Sequence, residues 1–169
     1  QTSARLPWLL IGMLGGIGNS MILGNFDTTF AAHPEMALYI PLIGGTGGNV
    51  GTQSSALVVQ GLANSSLDAN NTWKQILKES VVALINATII SMLVYIYNVV
   101  RFGPTATVSY SVSLSLFAVV MFASIFGTLV PMTLEKLKID PAIATGPFIS
   151  ITNDIIGMML YMGITVLLS

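Results

Sequence analysis

Ile149-Ser150-Ile151-Thr152-Asn153-Asp154-Ile155-Ile156-Gly157-Met158 forms the middle of an apolar span from Pro141 to Leu168, in which Asp154 is the one charged residue. A membrane crossing takes roughly 20 apolar residues at about 1.5 Å rise each, which this span supplies. An aspartate at the centre of a membrane helix costs roughly 2.5–3.5 kcal/mol on insertion scales. Residues retained at that cost face a bundle interior or a water-filled path. Asp154 is therefore the first candidate functional residue.

The rest of the chain agrees with a membrane setting. It is 53% hydrophobic and 8% charged over 169 residues, where soluble domains carry about 25% charged residues. The mean hydropathy is +0.80, and the apolar stretches are too many for a signal peptide ahead of a soluble domain. A net charge of -1 gives no footprint for nucleic acid. The lack of cysteine excludes disulfides, thiolate metal sites and thiol catalysis. No nucleophile–base pair stands out, so we expect no enzyme. The chain begins at Gln1 rather than Met and is expected to be trimmed from a longer protein.

Five apolar spans are read, at about Leu6–Phe30, Met36–Leu62, Trp73–Arg101, Val108–Thr133 and Pro141–Leu168, all in a single domain. In the first, Gly12-Met13-Leu14-Gly15-Gly16 allows close helix packing. Arg5, Lys74, Lys78, Lys136 and Lys138 then share one side, leaving Arg101 on the other. The positive-inside rule places the amino terminus in the cytoplasm and the carboxyl terminus outside. The sequons at Asn64 and Asn70 would then lie inside, unglycosylated. We see no internal repeat of the kind that marks inverted-repeat transporters.

The second span contains Gly44-Gly45-Thr46-Gly47-Gly48-Asn49-Val50-Gly51-Thr52-Gln53-Ser54-Ser55. Each interior glycine costs about 1 kcal/mol relative to alanine in a helix, so an interrupted, pore-facing segment with Asn49 near the path is one reading. The other is a close helix crossing through Gly44-xxx-Gly48 and Gly47-xxx-Gly51, with the amides bonding between helices. A phosphate loop is rejected, because no Gly-Lys-Ser/Thr follows.

In the fifth span Gly146, Ser150 and Asp154 recur every four residues and share one helix face. Pro147 lacks an amide hydrogen and is expected to prevent a regular helix start there. A carboxylate among small residues with approachable carbonyls suits Mg²⁺, a hard ion that dehydrates reluctantly. No histidine or cysteine lies at depth to favour zinc or copper. A protonated Asp154 bonded to Asn49, Asn86 or Thr128 is the bland alternative, and a proton relay lacks ionisable companions. In a symmetric dimer two facing carboxylates would repel unless a cation lay between them. His33, Asp27, Glu35 and Arg101 read as solvated loop residues, and Met158, Met159 and Met162 as packing residues. Asp140 is placed to cap the fifth span, and Pro131 is expected to kink or end the fourth.

Three stretches together resemble the membrane domain of the MgtE family of magnesium channels and transporters: Arg5-Leu6-Pro7-Trp8-Leu9, Gly47-Gly48-Asn49-Val50-Gly51-Thr52-Gln53-Ser54, and Asp140-Pro141-Ala142 through Gly146-Pro147 to Asp154. The similarity covers essentially the whole chain in order. It implies an all-α membrane protein in the plasma membrane, with five transmembrane helices per subunit, forming a homodimer with a pore on its axis. Spans two and five would line that pore and hold a largely hydrated Mg²⁺ near mid-membrane. The metal-site residues it implies are Asp154, Ser150 and Gly146. The expected pore lining is Asn49, Gly48, Gly47, Thr46, Gln53, Asn153 and Pro147. Where the family commonly has a basic residue after the glycine motif, this chain has Gln60. Members commonly carry a cytoplasmic amino-terminal domain and paired CBS domains, so a regulatory domain beyond these residues is an expected partner, alongside the lipid bilayer and the divalent cation. The rival readings are an H⁺- or Na⁺-coupled secondary transporter of a divalent cation and a non-transporting membrane assembly subunit.

Overall fold

Each apolar stretch becomes a helix, because a bilayer offers the backbone no other partner for its N–H and C=O groups. A computed structural model describes residues 2–25, 37, 39–63, 72–103, 107–139 and 147–168. It contains α1 (Thr2–Gly24), α2 (Ile40–Ala63), α3 (Thr72–Phe102), α4 (Thr107–Lys136) and α5 (Pro147–Leu168). Segments Trp73–Phe102, Ser109–Lys136 and Ile149–Leu168 are long and apolar enough to cross a membrane, and Leu9–Gly24 is a shorter apolar helix. The glycines and amides of α2 dilute its hydropathy below that level.

Contacts between named residues set the directions of the helices. Tyr39 at the start of α2 bonds Asn98 near the end of α3, and Ser54 near the end of α2 bonds Glu79 near the start of α3. These two helices are therefore antiparallel. Gly47 of α2 packs on Val119 of α4 and Gly51 on Gly127, so α2 and α4 run parallel. Gly51 meets Ile149 and Asn153 while Gly44 meets Asp154 and Met158, so α5 opposes α2. Among the described residues of α1, Gly15 packs on Ile151 of α5.

Helix α4 is the centre of the bundle. Its apolar stretch is 56% buried, against 33% for α5 and 17% for α3. Val112, Leu116 and Val119 join Tyr39, Ile43, Met158, Tyr161 and Met162 in the main core. Several serine and threonine hydroxyls on this buried helix find partners, whereas the Ser115 hydroxyl is buried without one. Ser113 and Thr128 donate to the carbonyls four residues back, and Ser111 pairs with Thr165 of α5. The opposite extreme is α3, whose Leu84, Ile85, Ile89, Met92, Leu93 and Ile96 are exposed in a chain without its bilayer. It ends at Gly103, whose φ of 90° and bond to the Val99 carbonyl form a left-handed cap.

Two sequence expectations are corrected and a third is narrowed. The glycine-rich stretch is not interrupted: α2 runs unbroken from Ile40 to Ala63. The helical backbone satisfies its own polar groups at depth, and the missing side chains let α4 and α5 approach, which offsets poor helix propensity. Pro147 does not prevent a helix start but is the first residue of α5, where the absent N–H has no intrahelical partner to lose. Of the two outcomes expected at Pro131, a kink or an end, the helix end is excluded, because α4 continues to Lys136. Asp27, His33, Glu35, Asp68, Asp140, Gly146 and both sequons lie outside the described residues.

Candidate functional site

Because the glycines of α2 form a continuous helix, they divide between two faces. Gly47 and Gly51 are buried against α4 and α5. Gly44 and Gly48 instead leave open space in front of α5. A methyl group built on Gly44 would stand 3.5 Å from the Asp154 Oδ1, and one on Gly48 would stand 3.8 Å from the Ser150 Oγ and 3.9 Å from the same carboxylate oxygen. One turn of α5 separates Ser150 from Asp154, so both point toward this strip of bare backbone.

The result is a cavity of about 390 Å³ lined by Asn19, Ile40, Gly44, Gly45, Gly48, Asn49, Thr52, Ser150, Asp154 and Met158. A water occupies about 30 Å³ of liquid, so a small cation with its full hydration shell fits. A second cavity of about 70 Å³ lies between α1 and α5, lined by Gly12, Gly15, Gly16, Asn19, Ile151 and Asp154. It has room for a few waters and not for a hydrated ion. Asp154 borders both cavities. Among the described residues no hydrogen bond or ion pair engages its carboxylate, which is half-buried. No cluster of three or more histidine, aspartate or glutamate side chains exists among the described residues. Among the described residues, one chain thus offers a cation at this cavity a single carboxylate, with the Ser150 and Thr52 hydroxyls and the Asn49 and Asn19 amides beside it. That set suits an ion that keeps its water.

Of the ten site residues expected from sequence, Asp154, Ser150, Asn49 and Gly48 meet at the larger cavity. Gly47, Thr46, Gln53 and Asn153 are not among its lining residues. Gly47 is turned into the α2–α4 contact, and Asn153 is buried with neither polar side-chain atom paired. Gly146 lies outside the described residues, and Pro147 is placed only as the first residue of α5. Sequence reasoning passed over Asn19 and Thr52 as individual site residues. Thr52 lies one turn from Gly48, a helical spacing that was available in the sequence. Asn19 lies in another helix, and nothing in its own stretch links it to Asp154.

The model of the MgtE family, described as a divalent cation transporter, matches residues 40–164. The chain belongs to the MgtE family. Its similarity to three relatives named magnesium transporter MgtE covers nearly all of its length. It is 33% identical to that of Bacillus subtilis over 160 residues, or 95% of this chain. It is 33% identical to that of Thermus thermophilus over 165 residues, or 98% of this chain, and 30% identical to that of Enterococcus faecalis over 162 residues, or 96%. The matched regions are 35%, 36% and 36% of those relatives, so the chain spans about a third of their length. MgtE proteins are transporters rather than enzymes.

Proposed function

We propose that this chain forms the ion path of a plasma-membrane Mg²⁺ transporter, in which Asp154 holds a largely hydrated Mg²⁺ passing toward the cytoplasm. The single observation that carries the reading is the Asp154 carboxylate, without a partner among the described residues, bordering a polar cavity part-way along an apolar helix. Asp154 lies seven residues into α5, about 10 Å along the helix axis. A charge retained there needs water or a cation. Ser150 and the Gly44–Gly48 backbone supply oxygens for the ion's water shell, and Asn49 and Thr52 extend the polar wall. The carbonyls of Gly146 and Ser150 complete the proposed metal site.

Five spans and a homodimer follow from the same physics. Antiparallel and parallel pairings alternate as five successive crossings require, and the basic residues Lys74, Lys78 and Lys136 fall at one end of that arrangement. That end is cytoplasmic by the positive-inside rule. Gly45, Asn49, Thr52 and Gln53 form an exposed polar strip on α2 that hydrocarbon would not satisfy. A second copy facing that strip would enclose the cavity as a pore on the twofold axis, with two Asp154 carboxylates toward one divalent ion. The greater length of the relatives fits a regulatory domain outside these residues.

The test is Mg²⁺ flux into proteoliposomes for wild type and Asp154→Asn, both verified as folded. Asn keeps the shape and removes the charge, so transport should fall at least tenfold. Equal flux in the two proteins would remove Asp154 from the mechanism.

A further inference from the structure

One polar group facing Asp154 belongs to neither α2 nor α5. Asn19, near the end of α1, lines both the larger and the smaller cavity, and Asp154 is the one other residue common to the two linings. The Asn19 side-chain oxygen is buried and has no hydrogen-bond partner. The Asp154 carboxylate likewise has none among the described residues. Both residues border the same space, and each brings an acceptor oxygen for which no donor is found among the described residues.

That arrangement has a chemical meaning. An acceptor left unpaired at depth costs about 1–3 kcal/mol. Two acceptors sharing a space are satisfied together by a species that presents donors outward and positive charge. A hydrated divalent cation is such a species, since every water bound to the metal turns its hydrogens away from it. Ordinary water alone would also donate to both, but would leave the Asp154 charge unneutralised.

The packing of α1 explains how Asn19 comes to be there. Gly15 sits so close to Ile151 that any side chain on it would overlap the isoleucine. Gly12 and Gly16 border the smaller cavity and leave it open. The glycine face thereby draws α1 onto α5, and one turn further along the chain Asn19 reaches the level of Asp154.

We propose that α1 is a third wall of the ion path and that the side-chain oxygen of Asn19 accepts a hydrogen bond from a water of the cation held at Asp154. Asn19 binds the hydration shell rather than the metal, and it sets how tightly the hydrated ion is held. The proposal rests on the Mg²⁺ reading of Asp154 given above.

The experiment compares wild type, Asp154→Asn, Asn19→Leu and Asn19→Asp by Mg²⁺ flux in proteoliposomes across a range of Mg²⁺ concentrations. Leucine keeps the volume and removes the acceptor, so the half-saturating Mg²⁺ concentration should rise about tenfold, the worth of one hydrogen bond to a charged group. Aspartate keeps an acceptor oxygen in place, so half-saturation should stay at or below the wild-type value. A purely packing role predicts instead that both substitutions lower the maximal flux and leave half-saturation unmoved, which would overturn the proposal. Half-saturation of Asn19→Leu within twofold of wild type would also overturn it, while loss of flux in Asp154→Asn left the ion-path reading standing. Undiminished flux in Asp154→Asn would sink that reading and this one together. Should Asn19→Leu not yield folded protein, Asn19→Ala is read by the same criteria.

Discussion

Gly127 of α4 and Gly51 of α2 meet so closely that a methyl group on Gly127 would stand 2.6 Å from the Gly51 carbonyl oxygen and 3.2 Å from its Cα. The obstacle is backbone, which cannot rotate aside as a side chain can. Gly127→Ala must therefore push α2 and α4 apart, and overpacking of this kind costs about 1–3 kcal/mol. Gly163 of α5 has nothing within 4 Å of its Cβ position, so Gly163→Ala is the matched control. Thermal unfolding in detergent should show a clear loss for Gly127→Ala and none for Gly163→Ala. Equal stability of the two variants would mean that the α2–α4 contact is looser than described.

The other glycine face of α2 has a different duty. The Cβ position of Gly48 is in ordinary contact distance of Ser150 and Asp154, so a small side chain fits without moving the backbone. It would occupy space at the carboxylate that water otherwise fills. Gly48→Val should leave thermal stability within about 1 kcal/mol of wild type, yet cut Mg²⁺ flux severely. Wild-type flux in a folded Gly48→Val protein would show that the cavity in front of Asp154 is not on the ion path.

These two faces show where the sequence was legible. The length and apolar character of the spans pointed to the helices, and the isolated charge pointed to Asp154, which borders the cavity of the candidate site, since both are local properties. The state of the glycine-rich stretch was not legible, because two principles oppose each other there. Propensity disfavours a helix through Gly44–Gly51, whereas a bilayer penalises any backbone that leaves it. Which one prevails depends on Gly127, Asn153 and Val119, whose approach to α2 is a tertiary fact. The same holds for Asn19: its distance in sequence from Asp154 hides their common cavity. Asn153 looked polar and adjacent to Asp154, but neighbouring residues on a helix point about 100° apart, and the packing side claimed it.

Ser54 donates a hydrogen bond of 3.0 Å to Glu79, tying the end of α2 to the start of α3. Ser54 is buried and Glu79 is half-buried. Ser54→Ala leaves a carboxylate oxygen without its donor, and the loss should be about 1 kcal/mol because solvent reaches Glu79 in part. The double-mutant cycle with Glu79→Gln isolates the pair. A coupling of zero would mean that water replaces the serine without cost.

Asn153 is the remaining polar residue of α5 whose role geometry alone can decide. Its side chain is 1% exposed, presses against Gly51, and leaves both its oxygen and its nitrogen unpaired. A buried polar group without partners is destabilising, and an apolar side chain of the same shape relieves that cost. If the amide only fills space, Asn153→Leu should unfold at an equal or higher temperature than wild type and still transport Mg²⁺. If the amide turns toward the ion path during passage, as a pore-lining role requires, the variant should be as stable but slow. The two outcomes separate on flux alone once folding is verified. The first is expected, because the amide presses on Gly51 inside the α2–α5 contact and Asn153 is not among the residues lining the cavity.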